Sequence, residues 1–272
     1  MGAGPTTASG IARILAHPKK GNLAVALLSR SGDDSLAERI SRESQGGVLK
    51  AFKTDTSQEQ LGQTVPAIRK WAESLSSGSG PELKLKLKLA VWNIKHSHRV
   101  AFEEEDLTRF GDSLQTYVTG AAVFSQLCLK WMLDQYQGRD AEVEHDDETG
   151  DEVARKKGTI IFTGTLGALR TNPGYAAYGA GRAGVRMLAQ SLAREYSAKG
   201  VHVVHAIANG GIVDVDTSAD GVVDDLQQKM EKVRMGENIR AESVDRLYLD
   251  VSRQSSDLWV HELDMRPAKE KF

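Results

Sequence analysis

The chain has 272 residues, 40% of them hydrophobic, enough to bury one sizeable core. Lys and Arg number 35 against 37 Asp and Glu, and the resulting charge of -2 supplies no field that would draw nucleic acid or an anionic membrane surface. The single cysteine, Cys128, excludes an internal disulfide; no apolar run is long enough to span a membrane, and no signal segment follows Met1. A cytoplasmic protein with a small-molecule substrate is expected, with a buried thiol at Cys128 and with neither nucleic-acid nor membrane partners.

Apolar runs of strand length alternate with longer stretches of helical period. Residues 23–28 form a first strand candidate, 35–45 a helix, 48–52 a strand and 58–74 a helix. Residues 87–92 follow as a strand, 103–136 as a long helix, 159–162 as a strand and 174–197 as a helix, with final strands at 201–207 and 260–263. That alternation predicts an α/β fold, a doubly wound Rossmann-type parallel sheet covered by helices, in a single domain over residues 1–272. No internal repeat interrupts it. The Leu/Lys alternation at 83–89 suits a half-exposed strand, buried only in its second half. Residues 74–80 are rich in Ser and Gly, and residues 137–157 form a polar, acidic insertion; both are expected to be solvated loops.

The opening GAGPTTASGIAR places Gly2, Gly4 and Gly10 just ahead of the helical pattern at 11–16. Glycine there permits positive φ and keeps a Cβ out of the path of a pyrophosphate, which the helix N-terminal amides would meet. A plain tight turn is the bland alternative. GAGP followed by Ile11, Ala12 and Arg13 resembles the first turn of the short-chain dehydrogenase/reductase family, which has glycines where Thr6 and Ala8 stand here. The resemblance implies a dinucleotide held by Gly2, Gly4, Thr6, Gly10 and Ile11, the hydroxyl of Thr6 offsetting its added Cβ. In the family a buried central strand precedes this turn, whereas only Met1 precedes Gly2. The expected sheet therefore lacks its first strand, through a start lying upstream or a truncated gene product.

The same resemblance puts Ser29 and Arg30 beside the adenosine ribose. No acid is available there for the 2'-hydroxyl, and an Arg suits a 2'-phosphate, so NADP (NADPH) is expected in preference to NAD. Asp55 falls where the family places an acid near the adenine. Asn93 resembles the first residue of the family's Asn-Ala-Gly turn, with Ile94 and Lys95 in place of the small residues. Gly211 and Ile212, after Asn209 and Gly210, resemble the turn that contacts the nicotinamide carboxamide, without its usual proline.

Residues 159–211 resemble the family without a gap. A Ser thirteen residues before a Tyr, with a Lys four residues after it, is the family pattern; Thr165, Tyr178 and Arg182 occupy those positions. Carbonyl reduction needs a proton donor, a hydroxyl to polarise the substrate oxygen and a nearby cation. The resemblance implies Tyr178 as acid/base, Thr165 orienting the oxygen and Arg182 on the ribose, with Tyr117 where most members have an Asn that fixes a water. The implied function is an NADP-dependent oxidoreductase moving a hydride to or from a carbonyl or alcohol. The alternative is a nucleotide-binding pseudoenzyme or interaction module, possibly truncated. In the family the two long helices pair about a two-fold axis, implying a homodimer or homotetramer through Val123, Leu127, Leu188 and Leu192. Residues 214–236 would be the variable substrate flap, and Trp259 and Phe272 packing residues. His96 and His98 have no metal-ligand spacing and are expected to be a solvated pair.

Overall fold

The computed structural model describes residues 1–4, 7–76, 84–137, 143–145, 152–215 and 223–270. In chain order the elements are α1 (Thr7–Ala16), β1 (Val25–Ser29), α2 (Asp34–Glu43), β2 (Leu49–Lys53), α3 (Gln58–Ser76) and β3 (Leu89–Trp92). Next come α4 (Leu107–Leu114), α5 (Gly120–Asp134), β4 (Val143–His145), β5 (Glu152–Ala154), β6 (Gly158–Thr165) and α6 (Ala176–Tyr196). The chain closes with β7 (Val201–Ala208), β8 (Ile212–Val213), α7 (Val223–Arg234), β9 (Ile239–Arg240), α8 (Ala241–Arg253) and β10 (Glu262–Met265). The protein is thus an α/β fold with parallel pairing, as the alternation of periods implies. Its contacts group into two compact units, one of Met1–Thr54, Ala208–Asp250 and Asp264–Phe272, the other of Asp55–Ile207 and Val251–Leu263.

In the first unit β1 and β2 pair in parallel, from Val25 opposite Leu49 to Ser29 opposite Lys53. Residues 1–4 form no strand. Instead the amides of Gly2 and Ala3 both donate to the Leu28 carbonyl, at 2.9 and 3.0 Å. Since Val25 N–H and Ser29 C=O face β2, Leu28 presents its carbonyl on the opposite edge, and these two amides cover the end of it. Leu27 packs with Ala12, Leu36, Ala37 and Ile40 to form the core. Helix α2 is started by Asp33, whose Oδ1 accepts the amides of Ser35 and Leu36. Helix α8 was not evident in the sequence reading, yet Ala241, Val244 and Tyr248 recur at helical spacing and are fully buried. It meets α1 closely: a Cβ at Gly10 would come 2.3 Å from the Cβ of Ala241.

In the second unit the sheet order is β10-β7-β6-β3, with Leu89 to Trp92 running parallel to Thr159 to Phe162. β6 and β7 are buried along nearly all their length, and Trp92 packs on Phe124 of α5 at 5.3 Å between ring centres. Residues 84–88 do not extend β3 as the Leu/Lys alternation suggested. The Gln135 side chain takes both the amide and the carbonyl of Leu87, supplying through an amide group what a neighbouring strand would otherwise supply. The helix expected over 103–136 begins at Leu107, where Asp106 accepts the Thr108 amide, and it is interrupted by a π-helical turn at Gln115–Thr119. Within the acidic insertion β4 and β5 pair antiparallel, Val143 opposite Ala154, where only a loop was expected. Residues 77–80 of the Ser/Gly stretch lie outside the described residues, as do Thr6 and Phe272. Cys128 is buried, and burial pushes its thiol up to about 12, which keeps it neutral and unreactive. Val123, Leu127, Leu188 and Leu192 are half-buried in the single chain. No helix among the described residues is long and apolar enough to cross a membrane, and they contain no group of three metal-ligating side chains.

Candidate active site

Thr165 ends β6 and Tyr178 lies in the first turn of α6, so the loop between them must fold back to bring the side chains together. It does: Thr165 Oγ1 and Tyr178 Oη share a hydrogen bond at 2.5 Å. Gly167 is the reason the loop can close. A Cβ there would come 2.5 Å from Tyr178 Cε1, while its own amide donates to Thr165 Oγ1 at 3.3 Å. With that amide as donor, the threonine hydroxyl is oriented for exchange with the phenol. The Tyr178 ring is half-buried, set edge-on against Tyr117 at 6.0 Å and Tyr175 at 6.1 Å.

Arg182, one helical turn beyond Tyr178, is buried at 4% exposure. Its Nη1 donates to the Thr163 carbonyl at 2.9 Å and its Nη2 to the Ile94 carbonyl at 2.8 Å. The guanidinium stands over the Tyr117 ring at 4.4 Å and the Tyr178 ring at 5.3 Å. A charge buried this deeply is tolerable because two carbonyls and two ring faces receive it. Tyr117, on the π-helical turn, is fully buried, and its hydroxyl accepts the His96 amide at 2.7 Å while donating to the His96 carbonyl. Burial raises the Tyr117 phenol above the ordinary 10.0, and the charge of Arg182 partly offsets this.

The histidines depart from expectation. His98 is not solvated: its Nε2 meets both Glu105 oxygens at 2.7 and 3.0 Å, with side-chain exposures of 6% and 2%. His96 stands edge-on to Tyr117 at 6.4 Å. An acidic residue seven positions after a histidine carried no periodic signal, because an extended segment and a short 3-10 turn separate the two. Segment 93–100 is joined to the loop before α6, where the Val100 amide donates to the Gly174 carbonyl at 3.0 Å. Thr165 and Asn93 both lie at carboxyl ends of strands in this sheet, which is where parallel α/β sheets place their ligands.

The residues implied for a dinucleotide divide by role. In the first unit Gly2 takes positive φ (86°), and a Cβ at Gly4 would meet nothing within 4 Å, so the backbone there leaves room for a pyrophosphate. Gly10 and Ile11 lie inside α1, which begins at Thr7; Gly10 packs on α8 and Ile11 is a core residue. Ser29 Oγ accepts the Gly32 amide at 3.1 Å and lies 3.2 Å from Ser31 Oγ, framing the exposed Arg30. Gly211 C=O accepts the Ile239 amide, and Ile212 pairs with Ile239 in the β8–β9 ladder. In the second unit Asp55 is exposed, and hydrogen bonds from the side chain and amide of Ser57 hold its carboxyl below the ordinary 3.8. Asn93 is half-buried just after β3. The open backbone at Gly4 and the unencumbered Arg30 fit the adenosine half of such a cofactor.

Two further groups of the first unit have partners that no motif announced. Arg13, part of the first-turn resemblance, is buried in a bidentate pair with Asp214 (3.2 and 2.8 Å) and donates through Nε to Glu43 at 3.0 Å. Asp245 is wholly buried; its Oδ2 accepts the Ile14 amide at 2.7 Å, and its Oδ1 has no hydrogen-bond partner.

A family model described as enoyl-(acyl carrier protein) reductase matches residues 148–256, which include Thr165, Tyr178 and Arg182. No curated protein sequence matches the chain. Among solved structures, a short-chain dehydrogenase from Rhodopseudomonas palustris superposes with a TM-score of 0.66 at 20% identity, covering 98% of this chain and 96% of that one. A 3-oxoacyl-[acyl-carrier protein] reductase from Brucella melitensis in complex with NAD gives 0.66 at 18% identity, covering 95% and 90%. An alcohol dehydrogenase from the archaeon Thermococcus sibiricus complexed with 5-hydroxy-NADP gives 0.66 at 16% identity, covering 98% and 94%. Over residues 148–256 the chain resembles this reductase family in sequence, and along its length it shares the fold of these solved dehydrogenases and reductases.

Proposed function

We propose that the chain is an NADP-dependent oxidoreductase that interconverts a carbonyl and an alcohol. The hydrogen bond between Thr165 and Tyr178, made at the two positions that the family's chemistry requires, is the observation that carries this reading. Similarity to an NAD complex and to a 5-hydroxy-NADP complex supports a nicotinamide cofactor, and the exposed Arg30, with no acid at the end of its strand, supports NADP over NAD. When bound, the nicotinamide supplies or accepts the hydride. Tyr178 Oη then donates a proton to the nascent alkoxide, or removes one from the alcohol in the reverse direction. Thr165 Oγ1 polarises the substrate oxygen by donating a hydrogen bond to it, and Tyr178 regains its proton from solvent. The Arg182 guanidinium stands 5.3 Å from the Tyr178 ring centre, one helical turn along α6. Gly2, Gly4, Thr6, Gly10 and Ile11 belong to the pyrophosphate turn, Ser29, Arg30 and Asp55 to adenosine, and Asn93, Arg182, Gly211 and Ile212 to the nicotinamide half. Residues 1–272 act as one dinucleotide-binding domain. The protein works in the cytoplasm, where its lone thiol stays reduced, and associates as a homodimer or homotetramer through α4, α5 and α6.

The test is a fluorescence titration of the chain with NADPH and NADH. Tighter NADPH binding, lost in Arg30→Ala, supports the reading; equal dissociation constants remove the preference. Absence of binding by either cofactor removes the function and favours an interaction module that has kept the fold.

A further inference from the structure

Two positions altered from the family pattern are altered together, and the residues that replace them touch. The Arg182 guanidinium lies 4.4 Å from the Tyr117 ring centre, close enough for a face-on cation–π contact. Each also grips the segment after β3. Arg182 Nη2 holds the Ile94 carbonyl at 2.8 Å, and Tyr117 Oη takes both the amide and the carbonyl of His96. The other arm of the fork, Nη1, is anchored on the Thr163 carbonyl in β6 at 2.9 Å. Gly181 completes the fit, since a Cβ at that position would come within 2.7 Å of Tyr117 Cδ2. The π-helical turn at Gln115–Thr119 is the local distortion that carries Tyr117, and such turns are frequent at functional sites.

We infer that Tyr117 and Arg182 form one clamp that fixes the main chain of residues 94–96 beside Tyr178, with Arg182 acting as a positioning residue through Tyr117 and not as a carrier of protons. The inference rests on Tyr178 being the acid/base. A guanidinium is permanently protonated, so it cannot relay a proton, but its planar fork spans two carbonyls and its face stacks on a ring. An ammonium has no such face. The proton of Tyr178 therefore exchanges through Thr165 Oγ1 at 2.5 Å or directly with solvent, to which the half-buried ring has access.

The test compares wild type, Tyr117→Phe, Arg182→Gln and the double variant, labelled with 15N and with 13C in the tyrosine rings. Each single substitution should speed exchange of the His96 amide by about fivefold or more, the expected cost of one net hydrogen bond. The double variant should be no faster than the faster single, because one device can be lost only once. The Tyr117 phenol should titrate still higher in Arg182→Gln, a charge effect that a space-filling role would not produce. Unchanged His96 exchange in Arg182→Gln, or single effects that multiply in the double, would overturn the clamp. If Arg182→Gln does not fold, the Arg182 Nη protons of Tyr117→Phe decide the matter: faster exchange supports coupling, and unchanged exchange overturns it. NADPH titration of the wild-type sample keeps the two readings apart, since absence of binding removes the oxidoreductase and leaves the clamp to the exchange data.

Discussion

Replacing Asp245 by Asn should stabilise the protein at neutral pH, and the gain should grow with pH. Asp245 sits on α8 with no exposure, one oxygen on the Ile14 amide and the other without a partner. Burial, first, raises its carboxyl from the ordinary 3.8 to about 9; nearby Glu242 adds to the rise, while the Ile14 amide, Arg13 and Lys20 oppose it. Because the folded-state value exceeds the unfolded one, the folded chain keeps a proton that the unfolded chain releases. Stability is therefore full below pH 4 and falls by about 1.4 kcal/mol per pH unit until the folded-state value is passed. At pH 7 the distance from 3.8 is about three units, so the penalty is about 4 kcal/mol at most. An amide reproduces the neutral carboxyl and removes this dependence. Urea unfolding of both proteins at pH 5 and pH 8 measures the difference. A gain for Asp245→Asn that is larger at pH 8 supports the argument, whereas a loss at pH 8, or a difference independent of pH, refutes it.

Other outcomes follow from the same geometry. Asp214→Asn should cost about 3 kcal/mol in denaturant melts, because it leaves Arg13 buried with one partner fewer. Gly164→Ala should destabilise by about 2 kcal/mol, since its Cβ would come 2.1 Å from His205 Nε2, and His205→Ala should relieve much of that cost. His202, pushed down to about 4 chiefly by burial, should stay neutral in NMR titrations until near pH 4. Its unfolded form protonates first, so this site's contribution to stability is lost as pH falls from 6.5 to 4, and a midpoint near 6.5 would contradict the burial argument.

The strand and helix order was legible because short apolar runs alternate with longer stretches of helical period on either side of the polar insertions. The pairing of Thr165 with Tyr178 was legible as well, since their spacing lies within one contiguous stretch resembling the family. What stayed hidden depends on partners distant in sequence. The grip of Arg182 on the carbonyls of Ile94 and Thr163 carried no signal, because only the fold delivers those partners. His98 looked solvated because Glu105 approaches it through an irregular turn. The room that Gly10 leaves for Ala241, 231 residues later, carried no local signal either. Helix α8 could have been found, as its buried positions keep helical spacing; it was missed because polar residues dominate the rest of that stretch.

Whether Tyr178 is the proton donor of an NADP-dependent oxidoreductase is decided by following NADPH oxidation over a broad carbonyl panel with wild type and Tyr178→Phe. Wild type should turn over at least one carbonyl measurably, and the variant should lose about a hundredfold or more of that rate. Turnover that survives in Tyr178→Phe, or a wild type that binds NADPH and reduces none of the panel, would contradict it.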